Sequence, residues 1–98
     1  MGWATRYIKE LHLGKPVIIY PRGNSMTPRI KSGDQCRVRP LEDNEPTKGD
    51  IVLCRVNRKE YLHLVISVRK ESYQIGNNHG RTNGWISRNQ IFGKLDWF

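Results

Sequence analysis

Apolar residues recur along this chain with two different periods. Between residues 3 and 13, Trp3, Tyr7, Ile8 and Leu11 fall at i, i+4, i+5 and i+8, one stripe of an amphipathic helix. Gly14 and Pro16 come next, in the order in which helices stop. Beyond that point the pattern is that of strands. Residues 15–20 hold the continuous run Val17-Ile18-Ile19-Tyr20, which predicts a short strand buried on both faces. Residues 35–39 predict another, with Cys36 and Val38 on one face. Residues 51–56 and 61–68 are the strongest strand candidates, joined by 57–60 as a hairpin. Shorter strands at 72–75, 85–86 and 91–95 complete the set.

Two polar stretches separate these elements. PLEDNEPTKGD at 40–50 is rich in turn formers and acids, and GNNHGRTNG at 76–84 is dense in Gly and Asn, which suits tight turns. Neither holds a phosphate-cradling glycine pattern. One helix followed by many short strands predicts a mostly β, compact single domain over 1–98, with a helix at 3–13 and a β core at 16–95.

Alternation within 61–68 places Leu62, Leu64, Ile66 and Val68 on one face and Tyr61, His63, Val65 and Ser67 on the other. The aliphatic stripe is expected to supply the core. His63 is then expected to point away from it, toward a more polar surface.

Charge changes the picture next. The 98 residues carry 17 Lys and Arg against 9 Asp and Glu, and outside 41–50 the ratio is 16 to 5. Such an excess suits an anionic partner, either nucleic acid or an acidic protein surface. Arg22, Arg29, Lys31, Arg37 and Arg39 are the candidate phosphate contacts, although no helix-turn-helix or aromatic RNA motif accompanies them. No apolar run approaches the roughly 20 residues of a membrane span, and the N-terminus lacks an apolar signal core. The expectation is a cytoplasmic protein with no membrane partner. Cys36 and Cys54 stand alone, without a metal-ligand spacing, and read as buried thiols. No metal and no cofactor is expected.

The segment Gly23-Asn24-Ser25-Met26-Thr27-Pro28 is open to two readings. It has the composition of an ordinary turn, in which a serine hydroxyl caps nearby backbone. It also suits a nucleophile held at a strand end, provided that a base takes the hydroxyl proton during attack. His63 is a suitable base, because neutral imidazole accepts a proton near pH 7.

Ser25-Met26-Thr27-Pro28, with Ile30 and Gly33-Asp34 after it, resembles the nucleophile box of the LexA and signal peptidase (S24/S26) clan of serine peptidases. Gly49-Asp50-Ile51-Val52 resembles a second box of that clan, and Gly76-Asn77-Asn78 a worn form of a third. The resemblance covers about residues 16–95. It implies the compact β fold of those catalytic domains, Ser25 as nucleophile, and His63 at the place of the general base, where many members carry lysine and some signal peptidases histidine. Met26 is expected to anchor the loop in the core, and the N–H of Ser25 or its neighbour to serve the oxyanion.

One departure stands out. The third box lacks its aspartate, and no acid occurs from 72 to 95. Asn77 and Asn78, or else Thr82 or Asn83, would then orient the imidazole through neutral hydrogen bonds. Asp34 and Asp50 are expected to hold turns, and His79 to be exposed. Only 24 residues precede Ser25, with no Ala-Gly or Cys-Gly bond among them, so self-cleavage of the LexA type is not expected. The resemblance implies a stand-alone peptidase core, of a kind met in bacteria, phages and mobile elements, that cuts a protein or peptide in trans. The alternative is an inactive module of the same fold that binds protein or nucleic acid through its basic surface.

Overall fold

The computed structural model describes residues 2–97. Helix α1 (Thr5–His12) is followed by β1 (Val17–Ile19), β2 (Cys36–Arg39), β3 (Ile51–Val56), β4 (Lys59–Arg69), β5 (Ser72–Gly76), β6 (Thr82–Ser87), a 3-10 turn (Arg88–Gln90) and β7 (Ile91–Trp97). The strands form one antiparallel sheet in the order β1-β2-β7-β3-β4-β5-β6.

Local chemistry explains the element ends. Gly14, at φ +84°, closes α1: its N–H donates to Leu11 O while Lys15 N–H donates to Glu10 O. That pair satisfies two carbonyls the helix end leaves open. Helix residues Ile8 and Leu11 are buried, as their spacing predicts. Trp3 leaves that stripe; it lies before the helix, 52% exposed, and Ala4 takes its place in the core. The β3–β4 hairpin is tighter than expected. Val56 pairs with Lys59 across Asn57 and Arg58, both at positive φ, the geometry that matches strand twist in a two-residue turn.

The sheet has a core on each face. On one, Ile51 and Leu53 pack with Leu62, Cys36, Val38, Leu95 and the helix residues; on the other, Val52, Cys54 and Val56 pack with Val65, Tyr73, Ile75, Ile86 and Ile91. β3 is therefore central and buried on both sides. The sheet curls far enough for β6 to meet β3 across the second core.

This arrangement corrects three expectations. The strand at 15–20 shrinks to three residues, with only Ile19 buried and Tyr20 57% exposed, because β1 is an edge strand paired only to β2. In β4 a bulge makes Ile66 the extra residue between Val65 and Ser67, so the alternation breaks. Val68 ends up 43% exposed, while Val65 is fully buried and His63 is 7% exposed. The His63 face is thus a second core rather than a polar surface. The 76–84 loop is also shorter than expected, since β6 already starts at Thr82.

No helix among the described residues is long and apolar enough to cross a membrane. Cys36 and Cys54 are free and buried.

Candidate active site

The loop between β1 and β2 is fixed before its serine has any partner. Met26 and Ile30 sit in the first core at 4% and 3% exposure, and Ile30 N–H donates to Met26 O at 2.9 Å. Gly33 N–H donates to Pro21 O, drawing the two ends of the loop together, while Asp34 caps the turn by accepting from Lys31 N–H. Ser25 projects from this anchored loop. Met26 thus takes the core position expected of it.

A second loop holds the first from outside. Asn78 donates twice, from its N–H to Ser25 O at 2.9 Å and from Nδ2 to Thr27 O at 3.0 Å. The exposed His79 ring places Nε2 2.9 Å from Asn24 O, so that nitrogen carries a proton. Asn77 folds back on its own loop, where its Oδ1 accepts from His79 N–H and Arg81 N–H. Asn77 and Asn78 therefore tie loops together, and neither orients His63.

That task falls to Asn83. Its Oδ1 lies 2.8 Å from His63 Nδ1, and His63 Nε2 lies 3.0 Å from Ser25 Oγ. The geometry has an identifiable backbone origin. β5 pairs Gly76 with Leu64 and goes no further, so no residue of β5 stands beside His63 in the ladder. Between β5 and β6, Ile75 pairs with Gly84 and Gly76 with Thr82, which makes Asn83 the extra residue of a bulge. Bulges re-aim side chains, and this one turns Asn83 toward the imidazole. Gly84, at φ +139°, supplies the backbone conformation that a side chain there would resist.

An amide oxygen can only accept. With Oδ1 facing the ring, Nδ1 carries the proton and Nε2 presents its lone pair to the Ser25 hydroxyl. Burial pushes the His63 pKa below its ordinary 6.5, opposed in part by the Asn83 hydrogen bond, so the ring is neutral at pH 7. Tyr61, two residues earlier on the same face, lies over the imidazole with ring centroids 4.7 Å apart. Its position in the strand pattern was the signal for that contact.

Among the described residues no carboxylate takes the third position. Asp50 Oδ2 accepts from Thr47 N–H and its Oδ1 pairs with Lys94, Asp34 holds its own turn, and Glu60 pairs with Arg55. The five candidate phosphate contacts divide. Arg22, Arg29 and Lys31 are exposed, whereas Arg37 pairs with Asp96, and Arg39 grips Glu45 through two 2.8 Å hydrogen bonds.

Ser25, His63 and Asn83 open onto a groove of about 880 Å³ whose walls also include Trp3, Tyr20 and Leu62. That volume is in the range of clefts that hold a ligand the size of a short peptide segment. Sequence reasoning alone did not indicate these walls.

The Peptidase S24-like family model matches residues 8–79, a stretch that contains both Ser25 and His63 and stops short of Asn83. No curated protein matches the chain.

Proposed function

The chain belongs to the Peptidase S24-like family, and from that premise we propose that it is a serine peptidase core cutting a protein or peptide in trans. Ser25 is the nucleophile and His63 the general base. The observation that carries this reading is the continuous relay Ser25 Oγ–His63 Nε2 at 3.0 Å and His63 Nδ1–Asn83 Oδ1 at 2.8 Å.

In the first step Ser25 Oγ attacks the scissile carbonyl as Nε2 takes its proton, and the carbonyl oxygen becomes an oxyanion. The backbone N–H of Ser25 or of its neighbour Met26 would donate to that charge. The imidazolium then passes its proton to the leaving amine, the C–N bond breaks, and an acyl-Ser25 ester remains. Water repeats the sequence, with Nε2 again as base, and releases the acid. Asn83 keeps Nδ1 protonated throughout, which leaves Nε2 the basic nitrogen. A neutral amide stabilises imidazolium less than a carboxylate does, and burial keeps the resting ring in its base form while disfavouring the imidazolium further.

Among the described residues the groove is bordered by the N-terminal turn at Trp3, by α1, by strands and by the hydrogen-bonded loops that follow β1 and β5, and a substrate from another molecule is consistent with those walls. An extended peptide can reach Ser25 alongside β1, whose outer edge is unpaired. The free thiols suit a reducing compartment, and the same reading assigns the activity to the cytoplasm.

The test is hydrolysis of a peptide library. Ser25→Ala and His63→Ala are each expected to abolish cleavage, while Lys59→Ala, on the exposed β3–β4 hairpin, retains it. Wild type and both variants equally inert across a range of pH would refute the peptidase reading.

A further inference from the structure

The groove beside Ser25 has an unusual chemical division. Its floor is aliphatic and closed, formed by Ile19, Met26, Ile30 and Leu62, all buried. Its rim carries the exposed rings of Trp3 and Tyr20. It also carries three cations, Arg22 and Lys31 on the serine loop and Arg81 on the loop before β6. All three are exposed, and none has a carboxylate within 4 Å among the described residues. The one acid in the lining, Glu60, is 8% exposed at its side chain and already paired to Arg55 at 2.8 Å. Every uncommitted charge facing the groove is therefore positive.

Resting on the reading of Ser25 and His63 as a catalytic pair, we propose that the substrate is an extended acidic peptide segment, with a large apolar side chain seated on the aliphatic floor between Trp3 and Tyr20 and Asp or Glu residues paired to Arg22, Lys31 and Arg81. An extended peptide turns successive side chains to opposite sides, so one segment can offer an apolar anchor to the floor and carboxylates to the rim. Nucleic acid is the weaker fit. The floor is aliphatic and ends at the Ser25 hydroxyl, and Arg37 and Arg39, which would extend a phosphate track, are held by Asp96 and Glu45.

Exposed ion pairs contribute about 1.4- to 5-fold in affinity each, so three of middling strength together give a preference on the order of tenfold. The preference weakens with salt, because the Debye length contracts to about 3 Å at 1 M.

The experiment uses the Ser25→Ala protein and fluorescent peptides sharing one Trp or Phe anchor, flanked by Glu, by its amide isostere Gln, or by Lys. Anisotropy is expected to show the Glu peptide binding about tenfold tighter than the Gln peptide at low salt, with the gap closing at high salt. Combining Arg22→Glu, Lys31→Glu and Arg81→Glu is expected to reverse the order in favour of Lys. The single variants serve the same purpose if the triple variant fails to fold, as checked by circular dichroism. Equal binding of Glu and Gln peptides, or tighter binding of a single-stranded oligonucleotide than of the Glu peptide, overturns the proposal. Labelling of wild-type Ser25 by a fluorophosphonate is measured in parallel. Labelling without acid preference refutes the substrate class alone; acid-selective binding without labelling refutes the catalytic pair and leaves the ligand class standing.

Discussion

Replacing Asn83 with aspartate keeps the side chain's shape and sets a full negative charge 2.8 Å from His63 Nδ1. At an effective dielectric near 20, opposite unit charges at that separation attract by about 6 kcal/mol. Asn83 is half-buried, and its new carboxylate gives up part of its own hydration. Screening and desolvation reduce the shift to about one to three pKa units, equivalent to about 1.4–4 kcal/mol of preference for imidazolium. The native ring is held below 6.5 by burial; the variant ring is pushed upward. Only the deprotonated ring can accept the Ser25 proton, so the acid limb of kcat/KM moves to higher pH by the same one to three units. Below that limb Asn83→Asp is slower than wild type. On the alkaline plateau it is faster, because the carboxylate stabilises the imidazolium that forms in the transition state. The assay is the pH profile of peptide hydrolysis, read alongside an NMR titration of the His63 ring that needs no substrate. An unmoved ring titration and an unmoved acid limb would refute the reasoning.

Three further predictions follow from the packing and the charges. Met26→Ala removes a side chain 4% exposed in the first core and is expected to cost about 2–5 kcal/mol, read as a lower urea midpoint at unchanged slope. The Arg39 guanidinium, with help from the Glu42 N–H, holds the Glu45 carboxyl far below the usual carboxylate range. Its stabilising effect is complete above the unfolded pKa of about 4.3 and is lost as pH falls below it. Glu45→Gln should therefore lose about 1–3 kcal/mol near neutrality and show a flatter acid limb in denaturation curves, and an acid limb identical to wild type would contradict that assignment. Burial, with Asp34 adding to it, pushes the Cys36 thiol up to about 11, and burial alone pushes Cys54 to about 12. A thiol reagent at pH 8 is expected to label neither cysteine in the native protein and both after unfolding.

The pairing of Ser25 with His63 was legible through the resemblance of their two segments to the S24/S26 clan; local pattern added only the anchored turn, with Met26 as its buried foot, and the side of the strand that residue 63 shares with Tyr61 and Val65. What the alternation did not convey was the environment. A second core forms only because the sheet curls until β6 meets β3, a consequence of twist and bulges summed over seven strands, which no single strand's pattern records. The identity of the orienting group was hidden for a similar reason. Asn77 and Asn78 occupy the worn third motif and looked the better candidates, yet Asn83 reaches His63 because one extra residue between β5 and β6 re-aims it. The bulge carries only a faint signal in sequence, the glycine at 84 that permits positive φ. The groove walls from Trp3 and Tyr20 depend on where the N-terminal segment docks, which is a tertiary matter throughout.

The central claim is that the Ser25 hydroxyl is made nucleophilic by the buried imidazole beside it. A fluorophosphonate tests this directly, since attack on phosphorus displaces fluoride and leaves a stable adduct that peptide mapping by mass spectrometry locates. The account predicts one adduct per chain, on Ser25, absent from both Ser25→Ala and His63→Ala. A folded wild-type protein that takes up no label between about pH 7 and 9, where burial keeps His63 in its base form, or one that labels equally at other serines, would contradict it.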